Sequence, residues 1–210
     1  MIALDKAGAR WTVTLNRPDK ANSLSRAMLG DLDDILADAA GAGIAALVIT
    51  GAGKVFSAGA DLDEARAGLA TDPVWESVSG RIASLDALTV AALNGTLAGG
   101  AFGMALACDL RLAVPGARFF YPVMKLGFLP QPSDPGRLVA LVGPARAKLI
   151  LMGGARLDAE DALAFGLVDR LVPPEDLRDA ADALVADALT AAPAHRTAIK
   201  ALCEGRVAPR

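Results

Sequence analysis

Two kinds of hydrophobic pattern run along this chain. Short, β-rich runs at "IAL" (2–4) and "WTVTLN" (11–16) flank "DKAGAR" and predict a hairpin with its turn in that hexapeptide. Met28, Leu32, Ile35 and Leu36 then recur at helical spacing, predicting a helix to about Ala40 with Ser23 or Ser25 as its N-cap. "IAALVIT" (44–50) and "TVAALNG" (89–95) are continuous apolar runs closed by glycine, the pattern of strands buried on both faces. Between them "DLDEARAGL" reads as a short helix, and "DPVWESVSGRIASLDAL" as a longer one with Pro73 in its first turn. "GGAFGMALAC" (99–108) reads as a helix, and "LRLAVP" and "RFFYP" as strands. The remainder is mainly helical, with one strand at "LVDRLVP" and two final helices in "PPEDLRDAADALVADAL" and "PAHRTAIKALCEG".

Strand and helix therefore alternate over most of the 210 residues, which argues for an α/β fold with parallel strands. "ALVITGAG", "TVAALNGT" and "RLAVPGA" repeat loosely as an apolar strand stopped by glycine, a weak sign of stacked β-α units. Composition narrows the partners. Apolar residues make up 53% of the chain and aromatics only 4%, so the core rests on Ala, Val and Leu. A net charge of −3 with no basic, aromatic-bearing stripe speaks against nucleic acid. Cys108 and Cys203 fit buried thiols of a reducing cytosol, and a single His195 gives little basis for a metal site or a Ser-His-Asp triad. The charged start "MIALDKAGAR" carries no signal-peptide pattern. The uncharged run from Ala87 to Cys108 holds four glycines, Asn94 and two threonines, and reads as strand, turn and helix rather than a membrane span. The expectation is a cytoplasmic protein.

Two glycine-bearing turns follow buried strands: "TGAGKVFSAGADLDE" (50–64) and "NGTLAGGAFGMALACD" (94–109). Neither fits G-x-G-x-x-G, and Lys54 is followed by Val55 where a P-loop needs Ser or Thr. "VFSAG" carries Ser57 in half of a nucleophile elbow. What both turns offer is backbone N–H groups that a helix start leaves free. Two such donors on one oxygen would make an oxyanion hole. The alternative is that the glycines only permit close strand–helix packing.

The chain resembles the enoyl-CoA hydratase/isomerase, or crotonase, family from about residue 10 to 203. "LNRPDKANSLS", "VFSAGADLDE", "ALNGTLAGGAFGMALACD", "FYPVMKLGFLP" and "GGARLDAEDALAFGLVDRLVP" carry the resemblance. It implies a crotonase-like (ClpP/crotonase) stacked β-β-α superhelix: a core domain over 1–190 and a shortened C-terminal helical segment over 191–210. It also implies an acyl-CoA substrate, no permanently bound cofactor beyond coenzyme A as part of that substrate, and a homotrimer or dimer of trimers. Transferred residue by residue, the oxyanion donors are the N–H groups of Ala60 and Gly100. Coenzyme A would run past Lys20, Ala21, Leu24, Ala58, Asp61 and Leu62. Asp61 equally suits a helix N-cap, and Lys20 a solvated loop lysine. Asp63 stands where some members carry a lysine.

The departures matter as much. Hydratases of the family divide acid and base work between two glutamates, and those positions are Gly103 and Val123 here. A third acid position used by some members is Gln131. Asp134 and Tyr121 are the substitute candidates. Asp134 equally suits an N-cap before Pro135, and Tyr121, on the face of Val123 if both lie on one strand, equally suits the core. Glu64 and His195 read as surface residues. The family usually continues past "TAIKALCEGR", so apolar surface is expected at that end. Three functions are open: a lyase or isomerase acting on acyl-CoA thioesters, a non-catalytic acyl-CoA-binding or assembly subunit, or a structural homologue that has lost coenzyme A binding.

Overall fold

A computed structural model describes residues 1–205. In chain order its elements are β1 (Ile2–Ala7), β2 (Arg10–Leu15), α1 (Arg26–Ala42), β3 (Ala46–Gly51), β4 (Val55–Ser57), α2 (Leu62–Arg66), α3 (Val74–Ser84), β5 (Leu88–Leu93) and β6 (Thr96–Ala98). Then follow α4 (Phe102–Ala107), β7 (Leu110–Ala113), β8 (Phe119–Phe120), α5 (Val123–Leu126), α6 (Asp134–Leu151), α7 (Ala159–Phe165), β9 (Arg170–Leu171), α8 (Leu177–Thr190) and α9 (Pro193–Cys203).

A six-stranded sheet runs β1-β2-β3-β5-β7-β9, and a three-stranded one β4-β6-β8. Only β1 with β2 is antiparallel; every other pair is parallel. β3 and β5 are the continuous apolar runs, and their inner residues are buried, as parallel strands covered on both faces must be. The hairpin is tighter than the sequence predicts. β1 and β2 run through "DKAGAR", pairing Ala7 with Arg10, so only Gly8 and Ala9 turn, with Gly8 at φ 61°. "RFFYP" also forms less strand than expected, because the chain leaves the small sheet after Phe120. Tyr121 and Val123 therefore do not share a strand face; Val123 opens α5.

α1 starts where the periodicity places it, and Ser25 is its cap: the Ser25 hydroxyl accepts the Met28 N–H at 3.2 Å. Met28, Leu32 and Leu36 are buried, while Ile35 sits at the edge. The small sheet positions the site. Each β4-β6-β8 strand follows a strand of the large sheet and ends at a loop beside one mouth. Gly95 is needed where β4 and β6 meet, since a Cβ there would lie 2.0 Å from the Lys54 carbonyl oxygen.

The C-terminal segment is described as far as Gly205, and residues 206–210 of the 191–210 segment lie outside the described residues. Its helix is fastened to the core. Arg196 donates to the carbonyls of Asp86 and Ile44, and Lys200 to the Ala87 carbonyl and the Asp109 carboxylate. Cys108 is buried, and burial pushes its thiol up to about 12. Cys203 is not a buried thiol: it is exposed in the last turn of α9. Among the described residues no helix is long and apolar enough to cross a membrane, and no group of three or more His, Cys, Asp or Glu could hold a metal ion.

Candidate active site

The first glycine turn is held by a buried asparagine. Asn22 sits at φ 52° with no exposure; its amide donates to the carbonyls of Ala52 and Val55, and its Oδ1 accepts the Arg17 N–H. The Ser57 hydroxyl donates to the Asn22 carbonyl at 2.8 Å and accepts the Gly59 N–H at 3.1 Å. Both lone functions of Ser57 are thus used to shape the turn, and among the described residues it has no partner that would activate it as a nucleophile. Backbone bonds finish the work. Leu24 N–H donates to the Gly59 carbonyl and Asp61 N–H to the Leu24 carbonyl, so the two bonds straddle Ala60 and leave its N–H unused among the described residues.

The second turn brings its own free donor. Gly100 is the middle residue of the helical turn Gly99–Ala101 that leads into α4, and its N–H precedes the first intrahelical bond. The two turns touch. A Cβ on Gly59, at φ 93°, would lie 2.8 Å from the Ala98 carbonyl, 3.2 Å from the Gly99 Cα and 3.3 Å from the Gly100 nitrogen. No side chain fits between them. Both Ala60 and Gly100 line a cavity of about 260 Å³ with mainly apolar walls, among them Leu62, Ala70, Trp75, Phe120 and Leu129. The Trp75 indole N–H is fixed on the Leu69 carbonyl at 2.8 Å, and its ring lies 3.2 Å from where a Gly100 side chain would begin. It forms the floor under the second turn.

The candidate coenzyme A residues divide. Lys20 and Ala58 are exposed, Ala21 is half-buried at φ 50°, and Leu62 is 69% exposed at the mouth. Leu24 is fully buried in the core and both its backbone groups are bonded to the turn. It therefore supports the groove from beneath and offers no surface to a ligand. Asp61 caps α2, accepting from the N–H groups of Asp63 and Glu64, and pairs with Arg17 at 2.8 Å. That Arg17 bond holds its carboxyl below the usual carboxylate range.

The sequence reading of Asp134 as an N-cap does not hold. Ser133 flanks α6, and its N–H and hydroxyl both bond the Glu76 carboxylate reaching across from α3. Asp134 turns inward instead and is 1% exposed. Its Oδ2 accepts the Tyr121 hydroxyl at 2.8 Å, while Oδ1 has no partner among the described residues. Burial pushes the Asp134 carboxyl up to about 6, against the pull of the Tyr121 hydroxyl and the Arg137 charge. Burial, then the Asp134 charge, pushes the Tyr121 phenol above its ordinary value. Tyr121 lines the cavity and stacks on Phe102 with ring centres 5.2 Å apart. Gln131 is at the cavity wall and donates to the Ala70 carbonyl at 3.2 Å. Glu64 accepts the Arg26 N–H, and His195 is exposed on α9, away from the cavity.

The raised Asp134 carboxyl has a stability consequence. The folded chain holds this proton more tightly than the unfolded chain does, so the associated stability is fully present below about pH 4 and lost as pH rises through about 6. Asp134→Asn keeps an acceptor for Tyr121 without the charge. It is expected to stabilise the fold at pH 7 by roughly 2 kcal/mol and to give no advantage at pH 4. Thermal unfolding of both proteins at the two pH values checks this; equal midpoints at pH 7 would refute it.

The enoyl-CoA hydratase/isomerase family model matches residues 7–208. The chain is 33% identical over 199 residues to the short-chain-enoyl-CoA hydratase of Clostridium acetobutylicum, covering 91% of this chain and 76% of that protein. It is 36% identical over 194 residues to the carnitinyl-CoA dehydratase of Citrobacter koseri, covering 90% of this chain and 74% of the other. The crystal structure of an enoyl-CoA hydratase from Bacillus anthracis superposes with a TM-score of 0.89 at 32% identity, over 97% of this chain and 82% of that one.

Proposed function

Since this chain belongs to the enoyl-CoA hydratase/isomerase family and has its crotonase fold, we propose that it is an acyl-CoA-processing enzyme, a lyase or isomerase, that polarises a thioester carbonyl between the N–H groups of Ala60 and Gly100. The observation that supports this reading is the contact between the two glycine turns, whose residues Ala60 and Gly100 both line one mainly apolar cavity. In such walls a developing enolate oxygen is stabilised far more than in water, because the donors are already oriented. Ala58 and Leu62 line the cavity and the Ala21 carbonyl accepts the Ala58 N–H; we assign coenzyme A to the side of Lys20, Ala21, Ala58, Asp61 and Leu62. The acyl group enters toward Trp75. Hydration through paired glutamates does not fit Gly103 and Val123, so chemistry that begins with enolate formation is favoured. No permanent cofactor is needed for it.

Exposed Leu126, Phe128 and Leu129 beside the cavity mouth suit coverage by a second copy, and we assign a homotrimer or its dimer as the working assembly. The test is a panel of saturated and unsaturated acyl-CoAs followed for both binding and turnover. Micromolar binding with conversion of at least one unsaturated member is expected. Tight binding with no conversion of any member would favour the non-catalytic subunit, and failure to bind any would reject both readings.

A further inference from the structure

The position where paired-glutamate members carry an acid on α4 is Gly103, yet a carboxyl group stands at that place. A Cβ built on Gly103 would lie 2.9 Å from Asp134 Oδ1, 3.5 Å from Oδ2 and 3.6 Å from the carboxyl carbon. The acid arrives from the first turn of α6 and fills the start of the path a side chain from α4 would take. Asp134 does not itself line the cavity, but Tyr121, whose hydroxyl donates to Asp134, does. Resting on the thioester reading above, we propose that Tyr121 and Asp134 form the proton-transfer pair of this site: Tyr121 meets the substrate carbon, and Asp134 stores the proton behind it.

Two observations and one chemical argument favour a working pair over a structural one. Most buried side-chain polar atoms are hydrogen-bonded, whereas Asp134 Oδ1 has no partner among the described residues. The carboxyl titrates within reach of neutral pH, where a proton store is useful. And a single pair suffices for a proton shift. As the substrate's α C–H bond breaks, its proton goes to the Tyr121 oxygen while the tyrosine's own proton passes to Asp134. The C–H electron pair becomes the enolate, with its oxygen on the Ala60 and Gly100 N–H groups. Return of the proton to the α carbon reverses the step, and return to the γ carbon of an unsaturated acyl group moves the double bond. The phenol is never left ionised, which its burial beside Asp134 would oppose. The charged or titratable groups acting on Asp134 are Tyr121 from the segment after β8, Glu76 from α3 and Arg137 from α6 itself; α4 contributes none.

The experiment is exchange of the α protons of butyryl-CoA in D2O, read by mass spectrometry, with calorimetric binding of the same thioester to each protein. Wild-type exchange is expected to rise with pH through an ionisation near 6. Asp134→Asn and Tyr121→Phe should each lose about 100-fold or more in exchange with binding essentially unchanged. Gly103→Glu combined with Asp134→Ala returns a carboxyl from α4 and should recover about tenfold over Asp134→Ala alone, which a structural role would not permit. Binding without exchange in the wild type, or wild-type exchange with an unaltered pH profile in Asp134→Asn, overturns the pair and leaves the thioester reading standing. Absence of any binding by the wild type overturns both.

Discussion

Gly59→Ala is expected to lower turnover of a CoA thioester by about 10²–10³-fold, the cost of losing one oxyanion donor. Gly59 touches no substrate in this account. Its φ of 93° is a region that alanine rarely adopts, and the added Cβ would press on backbone, not on a side chain that can rotate away. The nearest atoms are the Ala98 carbonyl, the Gly99 Cα and the Gly100 nitrogen, so the second turn must retreat. Retreat separates the Ala60 and Gly100 N–H groups while the groove that binds coenzyme A stays largely as it is. The effect should therefore fall on kcat with a smaller change in binding. Steady-state kinetics and calorimetry on the same thioester separate the two. Turnover within threefold of wild type would mean that the contact between the turns is packing alone.

Arg111→Met is expected to destabilise the fold by about 3–5 kcal/mol. Arg111 is 3% exposed on β7, and its guanidinium spans the carbonyls of Leu167, Ala105, Cys108 and Asp109 while pairing with Asp169 at 3.3 Å. Methionine matches much of the stem but leaves several carbonyls turned toward a buried, unpaired position. Two of those carbonyls belong to α4 and its C-terminal flank, so the loss also loosens the helix that follows the Gly99–Ala101 turn. Denaturant unfolding checks the magnitude; a loss under 1 kcal/mol would show that the carbonyls find water instead.

What the sequence discloses follows from range. β3 and β5 are legible because burial on both faces writes a continuous apolar run, and α1 because its buried stripe recurs within one helix behind Ser25. β4 and β6 have three residues each, too few for any period to register, and they disappear into the glycine turns around them. The two turns themselves stand out in the sequence, since glycine and alanine in place of reactive side chains draw attention to the main chain. That Gly59 must fit against Gly100 is tertiary and is not written in either turn. Asp134 misleads for a local reason: Ser-Asp-Pro is a helix-start pattern, and only Glu76 arriving from α3 relieves Asp134 of capping. Its coincidence with the Gly103 position depends on how α6 crosses α4. Asn22 and Trp75 are likewise ordinary in sequence, and their roles come from what surrounds them: two carbonyls for the asparagine, and a side-chain-free glycine for the indole.

If two backbone N–H groups polarise a thioester carbonyl, the carbonyl itself reports it. Isotope-edited infrared spectroscopy of butyryl-CoA labelled with carbon-13 at C1 reads the C=O stretch in the bound state. A shift to lower frequency is expected on binding to the wild type, and a stretch close to that of the free thioester when bound to Gly59→Ala. A carbonyl that binds the wild type with its stretch unchanged from free solution would contradict the claim.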